Sequence, residues 1–213
     1  MYRIGYIDDQ PTQYELYKKK FKRRYDDVEL ILLEDCKTRE EFLDKIYEER
    51  VEVLLIDYKM AGTFGFNGST LINYINDQIR DLECFILSAV ERDKISDGIV
   101  ATRNTFSKDI FDTEGDDEKR LKDFYAFADM LRESAGVFKK RSEQKLQDYK
   151  KLLEKKKQNM LSLPEEEEYR RLYKVLSSYG YIEKLPNEML TSDFEQKIDS
   201  LLEIGNAILK KYE

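Results

Sequence analysis

Polar residues that close short apolar runs are the first in this chain with the means to do chemistry. "YRIGYI" (Tyr2–Ile7) runs into Asp8 and Asp9, Val53–Ile56 runs into Asp57, "ECFILSA" (Glu83–Ala89) carries Ser88 at its end, and "ATRNTFSK" (Ala101–Lys108) ends on Lys108. Short runs rich in Val, Leu and Ile read as strands covered on both faces. Open α/β sheets bind ligands beyond the carboxyl ends of their strands, where these residues fall. Carboxylates gathered there repel one another unless a cation sits among them. Hard oxygen ligands suit Mg²⁺, which keeps several waters and accepts only one or two protein carboxylates. A carboxylate beside Mg²⁺, a lysine and a hydroxyl is equipped to attack a phosphoryl group. Asp57 would be the nucleophile, Mg²⁺ and Lys108 would neutralise the equatorial oxygens, and Ser88 would donate to a third oxygen. The plainer alternative is that each acid only marks a strand's exit into solvent.

The chain has 213 residues and no histidine. That excludes Ser-His-Asp and Cys-His catalysis, His-ligated zinc and any phosphohistidine carried by this chain. With 41% apolar residues a core can be built, and a charged fraction of 38% predicts long solvated helices. Residues 1–115 hold 17 basic and 24 acidic side chains and residues 116–213 hold 20 of each, so the whole excess of −7 lies in the first half. An acidic half suits a cation site and argues against nucleic acid there. Cys36 and Cys84 lack metal-type spacing and read as reduced core thiols of a cytoplasmic protein. No run approaches the ~18 apolar residues of a membrane span, and "MYRIGYIDD" is a strand pattern, not a signal peptide.

The elements that must position these groups alternate. Strands at Tyr2–Ile7, Val28–Glu34, Val53–Asp57, Glu83–Ala89 and, weakly, Ala101–Lys108 are separated by helical patterns. The first helix is expected to begin at Pro11, with Tyr14, Tyr17 and Phe21 on one face. The next opens with Thr38 and Glu41 as a capping box and turns Phe42, Leu43 and Ile46 inward. A third covers Gly68–Ile79 and a short one follows at "ERDKISDGIV" (Glu91–Val100). Such alternation implies a doubly wound parallel sheet with right-handed crossovers and helices on both faces. The polar stretch Asp109–Lys119 marks a boundary, which divides the chain into residues 1–115 and an all-α region, residues 116–213.

Taken together, the five landmarks resemble the receiver domain of response regulators in two-component signalling. The resemblance covers roughly residues 1–112 and rests on Asp8-Asp9, Asp57 with Met60 just after it, Gly68 and Leu71, Ser88-Ala89, and Lys108 after "NTF". It implies a flavodoxin-like fold with five strands in the order 2-1-3-4-5. It implies that Asp57 is phosphorylated by a partner histidine kinase or phosphotransfer protein, and that Ser88 and Lys108 contact the phosphoryl group. Asp8 and Asp9, with Asp57 and the backbone carbonyl of Lys59, would hold Mg²⁺. Such a chain is a phosphoacceptor and not an enzyme beyond self-phosphorylation and autodephosphorylation. Several positions depart from the family pattern. Ala61 stands where Pro is usual after the Met, "AGTFGFNG" lengthens the following loop, Asp109 replaces a common Pro, and Thr105 takes the place of an aromatic. The D-x-D signature of aspartate-nucleophile phosphohydrolases, an alternative class, is absent from "IDDQP".

The second half offers helices and no catalytic motif. Residues 116–162 read as one long helix or two in line, with Gly136 a weak point. Pro164 and four glutamates start another helix that runs to about Tyr179, and Thr191–Glu213 forms a terminal one. Phe124, Ala128, Leu131, Ala135 and Phe138, then Leu146, Tyr149, Leu153 and Met160, form a seam with a stutter. It serves either a coiled coil in a homodimer or packing against the chain's own helices. Lys139–Lys157 holds nine basic and three acidic residues. Without a recognition motif it reads as a solvated helix face, so nucleic acid is not expected as a partner, a DNA-binding half being the alternative. The expected output is interaction with an effector protein whose identity is not written in the sequence.

Overall fold

The computed structural model describes residues 1–89, 100–113 and 118–183. Five strands, β1 (Tyr2–Ile7), β2 (Val28–Leu32), β3 (Val53–Asp57), β4 (Cys84–Ser88) and β5 (Thr105–Ser107), form one sheet in the order β2-β1-β3-β4-β5. Every pairing is parallel, with Tyr6 level with Leu55, Asp57 with Leu87 and Ser88 with Ser107. Side chains alternate strictly between two cores, as the pleat demands. Leu54, Ile56, Cys84 and Ile86 face one core, whereas Val53, Leu55, Phe85 and Leu87 face the other. The doubly wound parallel sheet expected from the residue pattern is the one observed, in the strand order that the resemblance implies.

The first core is closed by α2 (Arg39–Glu48) and α4 (Gly68–Gln78) through Phe42, Leu43, Ile46, Leu71, Ile72 and Ile75. The Thr38–Glu41 capping box is present, each side chain satisfying the other's free backbone N–H. The second core is closed by α1 (Tyr14–Arg24) and by the amino-terminal half of α5 (Glu118–Lys157). α1 starts later than expected: Pro11 sits in a turn whose carbonyl accepts from Tyr14 N at 3.0 Å, so the helix proper begins after it. The lengthened loop after β3 contains a short helix, α3 (Ala61–Phe64), closed by Gly65 in the left-handed conformation at φ 77°. β5 is shorter than its sequence pattern because Thr102–Asn104 turns into a 3-10 helix before it.

α5 is a single helix of 40 residues, about 60 Å long at 1.5 Å per residue. Gly136 does not break it; the position faces Tyr2, whose ring would lie 3.4 Å from an added Cβ. The seam is used within the chain. Phe124, Phe127, Ala128, Leu131 and Ala135 pack on the sheet, Phe138 reaches the first core, and Tyr149 packs with Tyr169, Leu172, Tyr173 and Leu176 of α6 (Leu163–Ser178). The step in composition near residue 115 therefore marks where β-α alternation stops, while the core under the sheet continues into α5. α6 begins with a capping box between Ser162 and Glu165, with Pro164 in its first turn.

α6 returns to the base of the sheet, at the amino ends of the strands. Tyr179 Oη donates to Asp81 Oδ2 at 2.6 Å, Lys145 also donates to Asp81, and the Tyr179 ring lies 5.4 Å from that of Phe138. Gly180, at φ 68°, allows the chain to turn against Tyr47, where a Cβ would come within 2.9 Å of the Tyr47 Cβ. The basic stretch is a solvated helix face, and five of its lysines meet acids: Lys139 with Glu52, Lys145 with Asp81, Lys151 with Asp148, Lys155 with Glu165 and Lys157 with Glu154. Cys36 and Cys84 are free and buried, and burial pushes the Cys84 thiol up to about 12. Among the described residues no helix is long and apolar enough to cross a membrane. Most of the expected Glu91–Val100 helix, and all of the Thr191–Glu213 helix, lie outside the described residues.

Candidate functional site

Parallel strands bring the sequence-predicted residues to one rim. β1 delivers Asp8 and Asp9, β3 ends in Asp57, β4 ends in Ser88, and Lys108 follows β5 directly at the start of a 3-10 turn, Lys108–Phe111. Asp8, Asp57 and Ser88 are buried, with exposures of 8%, 5% and 1%, while Asp9 is partly open. Lys108 Nζ bridges the two buried carboxylates, 2.8 Å from Asp8 Oδ2 and 2.8 Å from Asp57 Oδ1. Asp8, Asp9 and Asp57 each present a ligand oxygen, all within 4.8 Å of one another. Lys59 lies exposed on the loop that leaves β3. The rim thus collects Asp8, Asp9, Asp57 and Lys108 in contact range, with Ser88 at the end of the neighbouring strand.

The electrostatics follow from three negative groups in a half-dry place. Burial raises the Asp57 carboxyl above the usual carboxylate range. Asp8 and Asp9 push the same way, and the bond to Lys108 opposes them. Burial works against charge on Lys108, yet its bonds to Asp57 and Asp8 prevail and hold its ammonium above the ordinary lysine value. The ammonium therefore stands where a cation is needed, and it is a monovalent match for a site with three acids. Hard carboxylate oxygens at this spacing, one of them on a half-open side chain, fit a Mg²⁺ site.

Three residues that sequence reasoning passed over complete the site. Tyr6 Oη donates to Asp8 Oδ2 at 2.5 Å, and the backbone N–H of Gln10 donates to Asp8 Oδ1 at 2.9 Å. Thr63, carried by α3, donates to Asp9 Oδ2 at 2.8 Å, so the added loop length supplies a contact to the centre. The visible signal was the alternation in "YRIGYID", which puts Tyr6 and Asp8 on the same face of β1; nothing in the sequence pointed to Thr63. Gly68, noted only as a family landmark, has a physical reason. A Cβ there would lie 2.2 Å from the Asp57 carbonyl oxygen, so α4 packs directly on the backbone of the acid. The acid at position 109 also has a reason, because Ser107 caps the turn with Asp109: Ser107 Oγ accepts from Asp109 N at 3.2 Å and donates to its carboxylate at 2.9 Å.

No family model matches the sequence, and no curated protein matches it. Among solved structures, a chain from the crystal structure of histidine kinase ThkA in complex with response regulator protein TrrA is 22% identical, with a TM-score of 0.43, the match covering 60% of this chain and 98% of that one. Response regulator protein TrrA from Thermotoga maritima, in complex with Mg²⁺ and BeF, is 20% identical with a TM-score of 0.42, the match covering 60% of this chain and 99% of that one. The sheet itself, five parallel strands in the order β2-β1-β3-β4-β5 with helices on both faces, fits the receiver fold of response regulators.

Proposed function

We propose that the chain is a response regulator of a two-component phosphorelay, in which Asp57 accepts a phosphoryl group at a Mg²⁺ centre and a helical region passes the signal on by protein–protein interaction. The observation that carries this reading is the meeting of Asp8, Asp57 and Lys108 at direct bonding distance on the carboxyl rim of the sheet, with the Asp9 oxygen in range.

Asp8, Asp9, Asp57 and the Lys59 carbonyl would hold the metal, and when bound it supplies positive charge against the oxygens of the incoming phosphoryl group. The protein's part is positioning and charge. An Asp57 carboxylate oxygen forms a bond to phosphorus while the bond from phosphorus to the donor breaks, the electron pair leaving with the donor atom. That donor is acetate in a small acyl phosphate or an imidazole nitrogen in a phosphohistidine. Lys108 releases Asp57 and follows the negative charge onto the phosphoryl oxygens, and the Ser88 hydroxyl donates to another. Since the chain has no histidine, a phosphohistidine donor must belong to a kinase or phosphotransfer partner. The role proposed for the chain is that of a phosphoacceptor, gaining and losing this group.

Residues 1–115 would serve as the receiver unit and residues 116–213 as the interaction region, joined mechanically by α5. Interaction with protein is favoured over nucleic acid because residues 116–213 carry no net charge and five lysines of the basic stretch, Lys139, Lys145, Lys151, Lys155 and Lys157, pair with acids. A field that attracts DNA phosphates needs unmatched cations. Phe124, Ala128, Leu131, Ala135, Phe138 and Tyr149 of the α5 seam are buried within the chain, so self-association would use other surfaces, whereas Met160, expected in the seam, lies beyond α5 and is 66% exposed.

The test is fluorine-19 NMR with beryllofluoride, a mimic of the aspartyl phosphate. Bound resonances that require Mg²⁺ and vanish in Asp57→Asn are expected. Bound resonances that persist in Asp57→Asn would remove Asp57 as the acceptor.

A further inference from the structure

Behind the acidic centre, aromatic residues form a continuous path to α5 that the phosphoryl chemistry does not use. Asp8 Oδ2 accepts from two donors, Tyr6 Oη at 2.5 Å and Lys108 Nζ at 2.8 Å. Asp8 Oδ1 accepts from Gln10 N at 2.9 Å. A carboxylate oxygen has two lone-pair sites, so Oδ2 is filled and Oδ1 keeps one open toward a cation. The Tyr6 side chain is 1% exposed, and burial, followed by its bond to Asp8, raises its hydroxyl above the usual tyrosine value. It is a neutral donor at any physiological pH.

The ring of Tyr6 meets Tyr17 of α1 edge-on, with centroids 5.9 Å apart. Tyr17 lies flat on Phe111 at 3.7 Å and 16°. Phe111 faces two residues of α5, Phe124 at 5.7 Å and Phe127 at 5.8 Å. The second donor on Asp8 Oδ2 reaches the same ring by another way. Lys108 opens the 3-10 turn that Phe111 closes, and the buried Lys20 ties that turn to α1 by donating to the Phe111 carbonyl at 2.6 Å. Both donors on one carboxylate oxygen thus converge on Phe111, the residue wedged between α1 and α5.

We infer that Tyr6 is a positioning residue that ties the state of the acidic centre to α5 through Tyr17 and Phe111. The inference rests on the reading of the acidic cluster as a cation centre. A cation at Asp8 withdraws charge from the oxygen that holds Tyr6 and Lys108, so both donors must settle again. The Tyr6 hydroxyl sits in a dry core, and losing a buried hydrogen bond is costly. Its ring therefore follows the carboxylate. Interiors at crystal-like packing density pass on such displacements, and Tyr17 and Phe111 are both buried and stacked on one another. The coupling is reciprocal: whatever favours one arrangement of α5 must bias cation affinity by the same factor.

The experiment uses the full chain with Mg²⁺ alone as the probe. Calorimetry reads Mg²⁺ affinity, and amide hydrogen exchange reads peptides spanning residues 111–135. In the wild type, Mg²⁺ is expected to change exchange in those peptides. Tyr6→Phe keeps the ring and drops the donor. It should still bind Mg²⁺, with affinity changed severalfold at most, and lose most of the α5 response, the remainder being what the Lys108 turn carries. Tyr17→Leu, which leaves the phenol on Asp8 and breaks the stack, should lose the response as well. Tyr14→Phe lies beside Tyr6 but off the path, and should keep it. If Tyr17→Leu fails to fold in a thermal melt, Tyr6→Phe decides alone. An α5 response of wild-type size in Tyr6→Phe overturns the inference, as does a wild type that binds Mg²⁺ with no change in α5. A wild type that binds no Mg²⁺ overturns the cation centre itself and the inference with it, and calorimetry tells that failure from the others.

Discussion

Replacing Lys108 by methionine should uncover how much strain the acidic centre carries. Lys108 Nζ lies 2.8 Å from both Asp8 Oδ2 and Asp57 Oδ1, in side chains only 3% and 7% exposed. At an effective dielectric of ~20, each contact has a gross Coulomb energy of about 6 kcal/mol. Most of that is offset by the desolvation of the three charges, and removing one partner of a buried pair costs roughly 3–5 kcal/mol. A ceiling comes from protonation. A stranded carboxylate with an ordinary pKa can be neutralised at about pH 7 for roughly 4 kcal/mol, and Asp57 needs less because burial already holds its carboxyl above the usual range. Lys108→Met should therefore lose about 3 kcal/mol in metal-free solution at about pH 7.

The pH dependence has a definite sign. In the variant, the folded-state pKa of Asp57 rises further above its unfolded value, which penalises folding above the unfolded pKa and relaxes as pH falls. The ceiling drops by about 1.4 kcal/mol per pH unit, so the deficit should shrink markedly toward about pH 5. Mg²⁺ should also recover it, since a ligand that binds only the folded state stabilises that state. Urea unfolding followed by circular dichroism, with EDTA or with Mg²⁺, reads all three effects. A deficit below about 1 kcal/mol at neutral pH, indifferent to pH and to Mg²⁺, would refute the picture of Lys108 as the internal counter-ion.

Asp9→Ala should raise the melting temperature of the metal-free protein by relieving repulsion around Asp57 and should weaken Mg²⁺ binding; a lower melting point with unchanged affinity would count against the shared centre. Gly68→Ala puts a Cβ 2.2 Å from the Asp57 carbonyl oxygen and should cost roughly 1–3 kcal/mol, while slowing modification of Asp57; wild-type stability and rate would show that α4 does not rest on the acid. Asp81→Asn weakens the seat of α6 and should cost about 1–2 kcal/mol at neutral pH by denaturant titration. Burial would raise the Asp81 carboxyl, but its bonds from Lys145 and Tyr179 outweigh this and hold it below the usual range. The stability it lends is present above the unfolded carboxyl value and lost as pH falls through the folded one, so the gap to the variant should close in acid; a gap that widens in acid would be inconsistent.

What could be read in advance was whatever depends on local pattern. Alternation of apolar strands with capped helices specified a parallel sheet, because each parallel crossover has one permitted hand, while the strand order came with the resemblance to a receiver domain. Asp8, Asp9, Asp57 and Lys108 were legible because strand ends share one rim in a parallel sheet, so residues far apart in sequence are forced together. α5 was legible as a helix but not in its partner: Phe124, Leu131 and Tyr149 would look the same facing a second subunit, and only the sheet and α6 decide otherwise. Thr63 was invisible because its contact with Asp9 depends on how an added loop happens to coil. Tyr179 read only as the end of a helix because nothing local announces Asp81, which reaches it across 98 positions of sequence.

The central claim is that Asp57 is the phosphoacceptor, and intact-mass spectrometry after incubation with acetyl phosphate tests it most directly. The wild type should gain a single phosphoryl group when Mg²⁺ is present, little when EDTA replaces it, and none in Asp57→Asn under either condition. Equal gain in Asp57→Asn, or equal gain without Mg²⁺, would contradict the assignment of Asp57 and of the acidic centre around it.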